Sequence, residues 1–282
     1  MASNFLPKIR GYSLSDFHDY DSCVFKFLVK HNLDKKYEIG KGSPQMALGV
    51  LLDKTIKNIH KRSAYDYPLK RLLKGVRFSV EEIKQEEQSK PRPNFNTATV
   101  EFLTEDVILA AEQVLQNYYQ QIEGKFKQKI ADIGFYQKTI EIDGDKYKLW
   151  GGPDTLEMAK DGMPEVIDYK SRQDIAKGKQ NMDMDLMPKL YTLLLAEDLL
   201  KRGFKKAMFK VVFWQDPKDE SFAQVFDLEN LSSVEELFKE KIRKIIANKE
   251  IIFCMLPFCE ACNSGKADEY VEMLEGMGYS LG

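Results

Sequence analysis

The hydrophobic period of this chain changes near residue 135, and that change limits the fold more than any other feature. Before it, apolar residues recur at three- and four-residue steps, the spacing of helices packed along one face; after it they alternate, the spacing of strands. Phe17, Tyr20, Val24, Phe27 and Leu28 predict one helix of about four turns, opened by a capping box of Ser13 and Asp16. Ser43 and Pro44 predict the start of a second helix running to about His60, with Leu48, Leu51, Leu52, Ile56 and Ile59 on one stripe. The segment SKPRPNF, residues 89–95, carries two prolines and no apolar period. It is expected to be an exposed, protease-sensitive connection before a long helix from about Thr97 to Lys125.

Beyond residue 135, segments 136–142, 147–157 and 165–171 are separated by the turn signals IDGD and KDGMP, which predicts a three-stranded antiparallel meander. A helix carrying Leu186, Leu190, Leu193, Leu194 and Leu199 follows, then strands over 206–214 and 222–228. A last helix is predicted to open at Ser233 with Glu236 and to carry Leu237, Phe238, Ile242, Ile245 and Ile246 on one face. The order describes an α/β chain: a sheet with a helical layer and a helical N-terminal addition. Residues 1–134 are expected to pack as helices on a core of residues 135–250, with a Cys-containing segment at 251–282, all in one compact unit.

Lys plus Arg total 42 against 44 Asp plus Glu, so any nucleic-acid partner must be held by a local basic surface rather than by net charge. No stretch approaches the roughly 20 apolar residues of a membrane span, and MASNFLPKIR lacks the apolar core of an export signal. The expectation is a cytoplasmic protein with no membrane partner. The four cysteines, Cys23, Cys254, Cys259 and Cys262, are too few for a disulfide framework in a chain of this size. Each is expected to be a buried small hydrophobe or a ligand to a soft metal.

The chemistry concentrates in residues 149–173. Pro153-Asp154 falls on one expected strand and Asp168-Tyr169-Lys170 on the next. Asp168 and Lys170, two apart, share a face. If the turn is centred on Gly162, Asp154 lies opposite Lys170 and all three share it; an odd register would turn Asp154 away, and a bulge at Gly152-Pro153 could restore it. Two carboxylates close together repel unless a cation lies between them, and hard oxygen donors suit Mg²⁺ or Mn²⁺. Such an ion beside an ammonium group is equipped for phosphodiester hydrolysis. Arg172, Lys177 and Lys179, directly after this strand, are candidate phosphate contacts.

Pro153-Asp154 followed by Asp168-x-Lys170, with apolar Val166 and Ile167 ahead of the second Asp, resembles the signature of the PD-(D/E)XK nuclease superfamily. The resemblance is closest to its RecB-like branch, which includes AddB nucleases and CRISPR-associated adaptation nucleases. It implies a restriction-endonuclease-like core, a mixed central sheet in αβββαβ order. It also implies that Asp154, Asp168 and the backbone carbonyl of Tyr169 hold the metal ion and that Lys170 serves the attacking water. Asp53, four residues after Gly49, stands where the branch often has a metal-binding His. Tyr191 matches a DNA-contact Tyr, although Met187 stands where the branch has a Gln. One early and three late cysteines are the arrangement with which cluster-bearing members hold a [4Fe–4S] cluster. The residues themselves leave zinc open as an alternative, because Cys259-x-x-Cys262 is half of a typical zinc site.

The function these features imply is a Mg²⁺- or Mn²⁺-dependent deoxyribonuclease, exo- or endonucleolytic. Its setting would be DNA recombination, repair, or phage or mobile-element DNA processing, with DNA and a recombination or repair protein as partners. The alternative is a nuclease-fold protein that binds DNA or a partner without cleaving.

Overall fold

The structure, a computed structural model, describes residues 11–33, 43–61, 68–89, 100–122, 128–131, 134–170, 186–214, 216–217, 222–254, 256, 259 and 261–282. The chain forms two compact units, each built from separated segments: Met1–Gly40, Tyr136–Gly151 and Leu231–Gly282 in the first, Lys41–Phe135 and Gly152–Asn230 in the second.

In the first unit, β1 (Gly11–Tyr12) pairs in parallel with β4 (Asp145–Gly151), which pairs antiparallel with β3 (Tyr136–Ile142). The β3–β4 hairpin turns on Asp143 and Gly144, both at positive φ (53° and 88°), the handedness that matches strand twist and that Gly adopts without strain. The helix expected across residues 13–28 is two helices, α1 (Leu14–Ser22) and α2 (Val24–Asn32). Cys23 breaks them with an extended backbone, φ −161° and ψ 102°. Its N–H still donates to the Asp19 carbonyl at 2.8 Å, closing α1, while its Sγ accepts the Lys26 N–H at 3.4 Å and so caps α2. The expected capping interaction is present: the Ser13 N–H donates to Asp16 Oδ2 at 2.7 Å.

Asp16 is buried, with His31 Nε2 at 2.9 Å and Lys30 Nζ at 3.2 Å. Burial opposes its ionisation, but hydrogen bonds from His31 and Ser13 and the nearby Lys30 charge prevail and hold its carboxyl well below the usual carboxylate range. Helix α7 (Ser232–Ala247) is preceded by Leu231 at its N-cap, so Ser233 lies in the first turn rather than capping it. Of the expected apolar face, Phe238, Ile242 and Ile245 are buried while Leu237 and Ile246 are half-buried, and Phe238 meets Phe17 at a ring separation of 5.4 Å. Helix α8 (Ala267–Glu275) and the short parallel pair β9 (Glu250–Ile251) and β10 (Ser280–Leu281) complete this unit.

The second unit contains α3 (Pro44–Lys61), capped by Ser43 through a Met46 N–H to Oγ bond of 3.2 Å, α4 (Leu69–Gln88) and α5 (Glu105–Gln121). The helix expected from Thr97 starts at Glu105, after a turn closed by the Leu103 N–H on the Val100 carbonyl; the 89–95 connection falls, from residue 90 onward, outside the described residues. Leu51, Leu52 and Ile56 of α3, Leu72 and Val76 of α4, and Ala111 and Leu115 of α5 form one core with Ile167, Tyr169 and Trp214 from the sheet.

That sheet has the order β2 (Gln128–Lys129), β5 (Thr155–Met158), β6 (Pro164–Lys170), β7 (Lys206–Phe213), β8 (Ala223–Asp227). β6 and β7 are parallel, with α6 (Leu186–Lys201) in the chain between them; the other pairs are antiparallel. The sheet is therefore mixed, and the class is α/β. The meander expected over 136–171 is instead two hairpins in different sheets. The run 147–157 cannot continue as one strand, because Gly151 takes φ 150° and Pro153 has no N–H for a ladder bond. Among the described residues no helix is long and apolar enough to cross a membrane.

Candidate active site

Asp154 stands immediately before β5. The ladder pairs Thr155 with Ile167, yet the Asp154 N–H also donates to the Ile167 carbonyl, at 2.9 Å. Two residues thus oppose one, a bulge that bends the strand end and re-aims the side chain. The carboxylate turns back onto β6, where Oδ2 accepts the Tyr169 N–H at 2.7 Å. Glu157 pairs with Glu165 and Met158 with Pro164, so the turn is centred on Asp161, not Gly162. A five-residue loop closed by the Ala159 N–H on the Met163 carbonyl sets this register. Asp154 therefore lies at the level of Asp168 rather than opposite Lys170.

Asp168 is 5% exposed, and its Oδ2 lies 2.5 Å from Lys170 Nζ. From α3, Asp53 brings its carboxyl within hydrogen-bonding reach of Asp154. One turn further on, Lys57 Nζ lies 2.8 Å from Asp53 Oδ1 and 3.5 Å from Asp154 Oδ1. Burial, together with the charges of Asp168 and Asp53, pushes the Asp154 carboxyl well above the usual range, and Lys57 offsets this only in part. For Lys57 itself, burial disfavours the charge, but Asp53 and Asp154 outweigh it and hold the ammonium above its ordinary value. On α6, Tyr191 faces the same charges: burial, then Asp168, Asp154 and Asp53, push its phenol up.

The structure thus brings Asp53, Asp154, Asp168, Lys170 and Tyr191 to one place. Tyr169 enters through its amide. Met187, one turn before Tyr191, is buried. Arg172, Lys177 and Lys179 lie outside the described residues. Lys57 is the residue that reasoning from sequence missed. Its signal was present as an acid–base pair four apart on a helix, Asp53 to Lys57.

Beneath the site, the Tyr169 ring stacks on Trp214 at 4.4 Å and 16°, and its hydroxyl lies 3.2 Å from that of Tyr118. The Trp214 N–H donates to the Lys170 carbonyl at 3.2 Å. These contacts pin the strand that carries Asp168 and Lys170.

The donor set fits a hard divalent cation. Three carboxylates face one region, burial together with the charges of Asp168 and Asp53 drives Asp154 toward its protonated form, and the Lys57 ammonium pairs with both Asp53 and Asp154.

In the first unit, the sulfurs of Cys23, Cys254, Cys259 and Cys262 all lie within 4.8 Å of one another. Burial pushes the Cys23 and Cys262 thiols up. On donor chemistry alone, four thiolates suit zinc or an iron–sulfur cluster.

The model of the PD-(D/E)XK nuclease superfamily matches residues 12–265. This chain belongs to that superfamily. Its members are nucleases that use divalent metals, and its restriction-endonuclease-like fold agrees with the mixed α/β architecture. No curated protein matches the chain. Among solved structures, the crystal structure of SSO0001 is 14% identical over 60% of this chain and 85% of that one, with a TM-score of 0.29. Scheffersomyces stipitis Rai1, in complex with (3'-NADP)+ and calcium ion, is 12% identical over 94% of this chain and 69% of its own, with a TM-score of 0.21.

Proposed function

We propose that this chain is a Mg²⁺- or Mn²⁺-dependent deoxyribonuclease of the RecB-like branch, acting in DNA recombination, repair or mobile-element DNA processing, with DNA and a recombination or repair protein as partners. The observation that carries the reading is the convergence of Asp53, Asp154 and Asp168 beside Lys170. Asp154, Asp168, Asp53 and the Tyr169 carbonyl would hold the cation. When bound, a divalent ion there neutralises the carboxylates, lowers the pKa of water and stabilises charge on the phosphate.

The remaining work falls to the chain's own groups. Lys170, held 2.5 Å from Asp168, presents N–H donors to the attacking water or to a phosphate oxygen. The Tyr169 amide fixes the Asp154 carboxylate, so the site is organised before substrate arrives. Tyr191, on the opposite element, offers a phenol as a hydrogen-bond donor to the sugar-phosphate strand; its raised pKa keeps the proton in place. Arg172, Lys177 and Lys179 would extend the phosphate contacts.

The test uses end-labelled single- and double-stranded DNA with Mg²⁺, Mn²⁺ or EDTA, comparing wild type with Lys170→Ala. Metal-stimulated cleavage that the substitution abolishes supports the assignment. Cleavage at full rate in Lys170→Ala overturns it, and metal-independent DNA binding without any product transfers the protein to the binding-only alternative.

A further inference from the structure

The RecB-like resemblance carries with it a [4Fe–4S] cluster, and the sulfur positions test it. In a cubane each thiolate ligates a different iron at a corner of the cube, which holds the four sulfurs roughly 6 Å apart. Around a single tetrahedral ion with Zn–S bonds of about 2.3 Å, they lie about 3.8 Å apart. Here Cys23 and Cys262 are separated by 3.6 Å, Cys23 and Cys259 by 3.7 Å, and Cys254 and Cys262 by 3.8 Å, with no pair beyond 4.8 Å. These separations match a single tetrahedral ion and fall short of those of a cubane.

We infer that the four cysteines form a structural tetrathiolate zinc site that ties the start of α2 to the segment following β9. The local backbone is arranged for it. Cys23 occupies the break between α1 and α2, so its sulfur sits at the N-terminus of α2, where the helix dipole favours negative charge. The N–H of Lys26 points at this sulfur and that of Leu256 at Cys254, as suits thiolates that keep a net negative charge after binding a divalent ion. The spacing agrees: Cys259-x2-Cys262 is a two-residue zinc knuckle, preceded here by a four-residue gap from Cys254. The site is closed, because all four positions around a tetrahedral ion are filled by the chain, so its role is to hold structure rather than to catalyse.

The experiment is elemental analysis with acid-labile sulfide on full-length protein purified under nitrogen from cells supplied with both iron and zinc. One zinc per chain, no sulfide and a colourless solution are expected. Replacement by Co²⁺ should give the visible bands of a tetrahedral tetrathiolate, and Cys259→Ser should lower zinc content several-fold. Iron and sulfide in roughly equal, multiple amounts per chain, with a brown colour, would overturn the inference. So would four freely titratable thiols in folded, metal-free wild type. The readout is metal and sulfide, so the result stands whether or not the protein cleaves DNA.

Discussion

If Asp53 and Asp154 hold a divalent cation as proposed, Lys57 competes with it for both carboxylates, which makes Lys57→Met a sharp probe of the site. The substitution keeps most of the aliphatic stem and removes an ammonium 2.8 Å from Asp53 and 3.5 Å from Asp154. At an effective dielectric constant of about 20, a unit charge pair at about 4 Å is worth about 4 kcal/mol, and about 1 kcal/mol in water. The side chains of Lys57 and Asp53 are each 40% exposed and that of Asp154 is 16% exposed, so solvent screening places the effect near the lower limit, about 1–2 kcal/mol. Metal binding must displace or neutralise that interaction in the wild type and need not in the variant. The Mn²⁺ affinity of Lys57→Met is therefore expected to rise about tenfold. Isothermal titration in the absence of DNA reads it directly, and Lys57→Arg, which retains the charge, should remain close to wild type. Unchanged or weaker binding in Lys57→Met, with an intact circular dichroism spectrum, would refute the competition and place the ammonium in support of the site instead.

Asp168→Asn and Lys170→Ala should each lower the cleavage rate by at least 10²–10³-fold, roughly the effect of removing one group that stabilises transition-state charge, without shifting the melting temperature downward. Because burial and the charges of Asp168 and Asp53 raise the Asp154 pKa, protons compete with metal there, and the apparent Mg²⁺ affinity should strengthen as pH rises through that raised pKa; a flat profile would contradict the cause assigned to the shift. Asp16→Asn should destabilise the protein by about 2 kcal/mol at pH 7 in urea titrations, since a buried carboxylate loses its charge-assisted hydrogen bonds to half-buried Lys30 and His31, while Lys30 keeps Asp19 at 2.7 Å. The Asp16 pKa is depressed in the folded state, so this contribution is present above the unfolded carboxylate pKa and is lost as pH falls through the folded one, and the wild-type advantage should shrink in acid. Tyr169→Phe should cost about 1 kcal/mol of stability and leave cleavage unchanged, because the residue serves the site through its amide while its hydroxyl meets Tyr118 and Glu157.

Which parts of this architecture were legible in the sequence follows from how locally each is determined. The helix at Pro44, the crossover helix with Leu190 and Leu193, and strands β3, β7 and β8 each carry their own period and end signals, and each formed close to where those placed it. Helix α4 carries Leu72, Val76, Val80 and Ile83 at helical spacing and was readable, but its start after Pro68 lacks a polar capping residue and it passed unassigned. The breaks at Cys23 and at Gly151 were invisible for a different reason. Apolar spacing continues across both, so periodicity reports one element where the backbone makes two. At Cys23 the chain forgoes a continuous helix and places a sulfur among three others more than 200 residues away. At Gly151 it forgoes a continuous strand, and Asp154 bulges out of register.

The register is where local reading and the site part company. A turn centred on Gly162 would have set Asp154 opposite Lys170, with an acid facing a base across the hairpin. The observed turn centred on Asp161 places Asp154 level with Asp168, acid beside acid, and Asp53 arrives from a helix to make a third. Such an arrangement is unfavourable on its own: with burial, it drives Asp154 toward neutrality, and it draws in Lys57. A one-residue change in the loop would have relieved the repulsion. Its persistence is intelligible if the repulsion is answered by a cation, because a site that repels itself when empty gives its bound ion the whole of that relief as binding energy. Lengthening the 159–163 loop by one residue should accordingly weaken Mn²⁺ binding while sparing the α3–α5 core, and metal affinity that survives the insertion would separate the hairpin's register from the site's purpose.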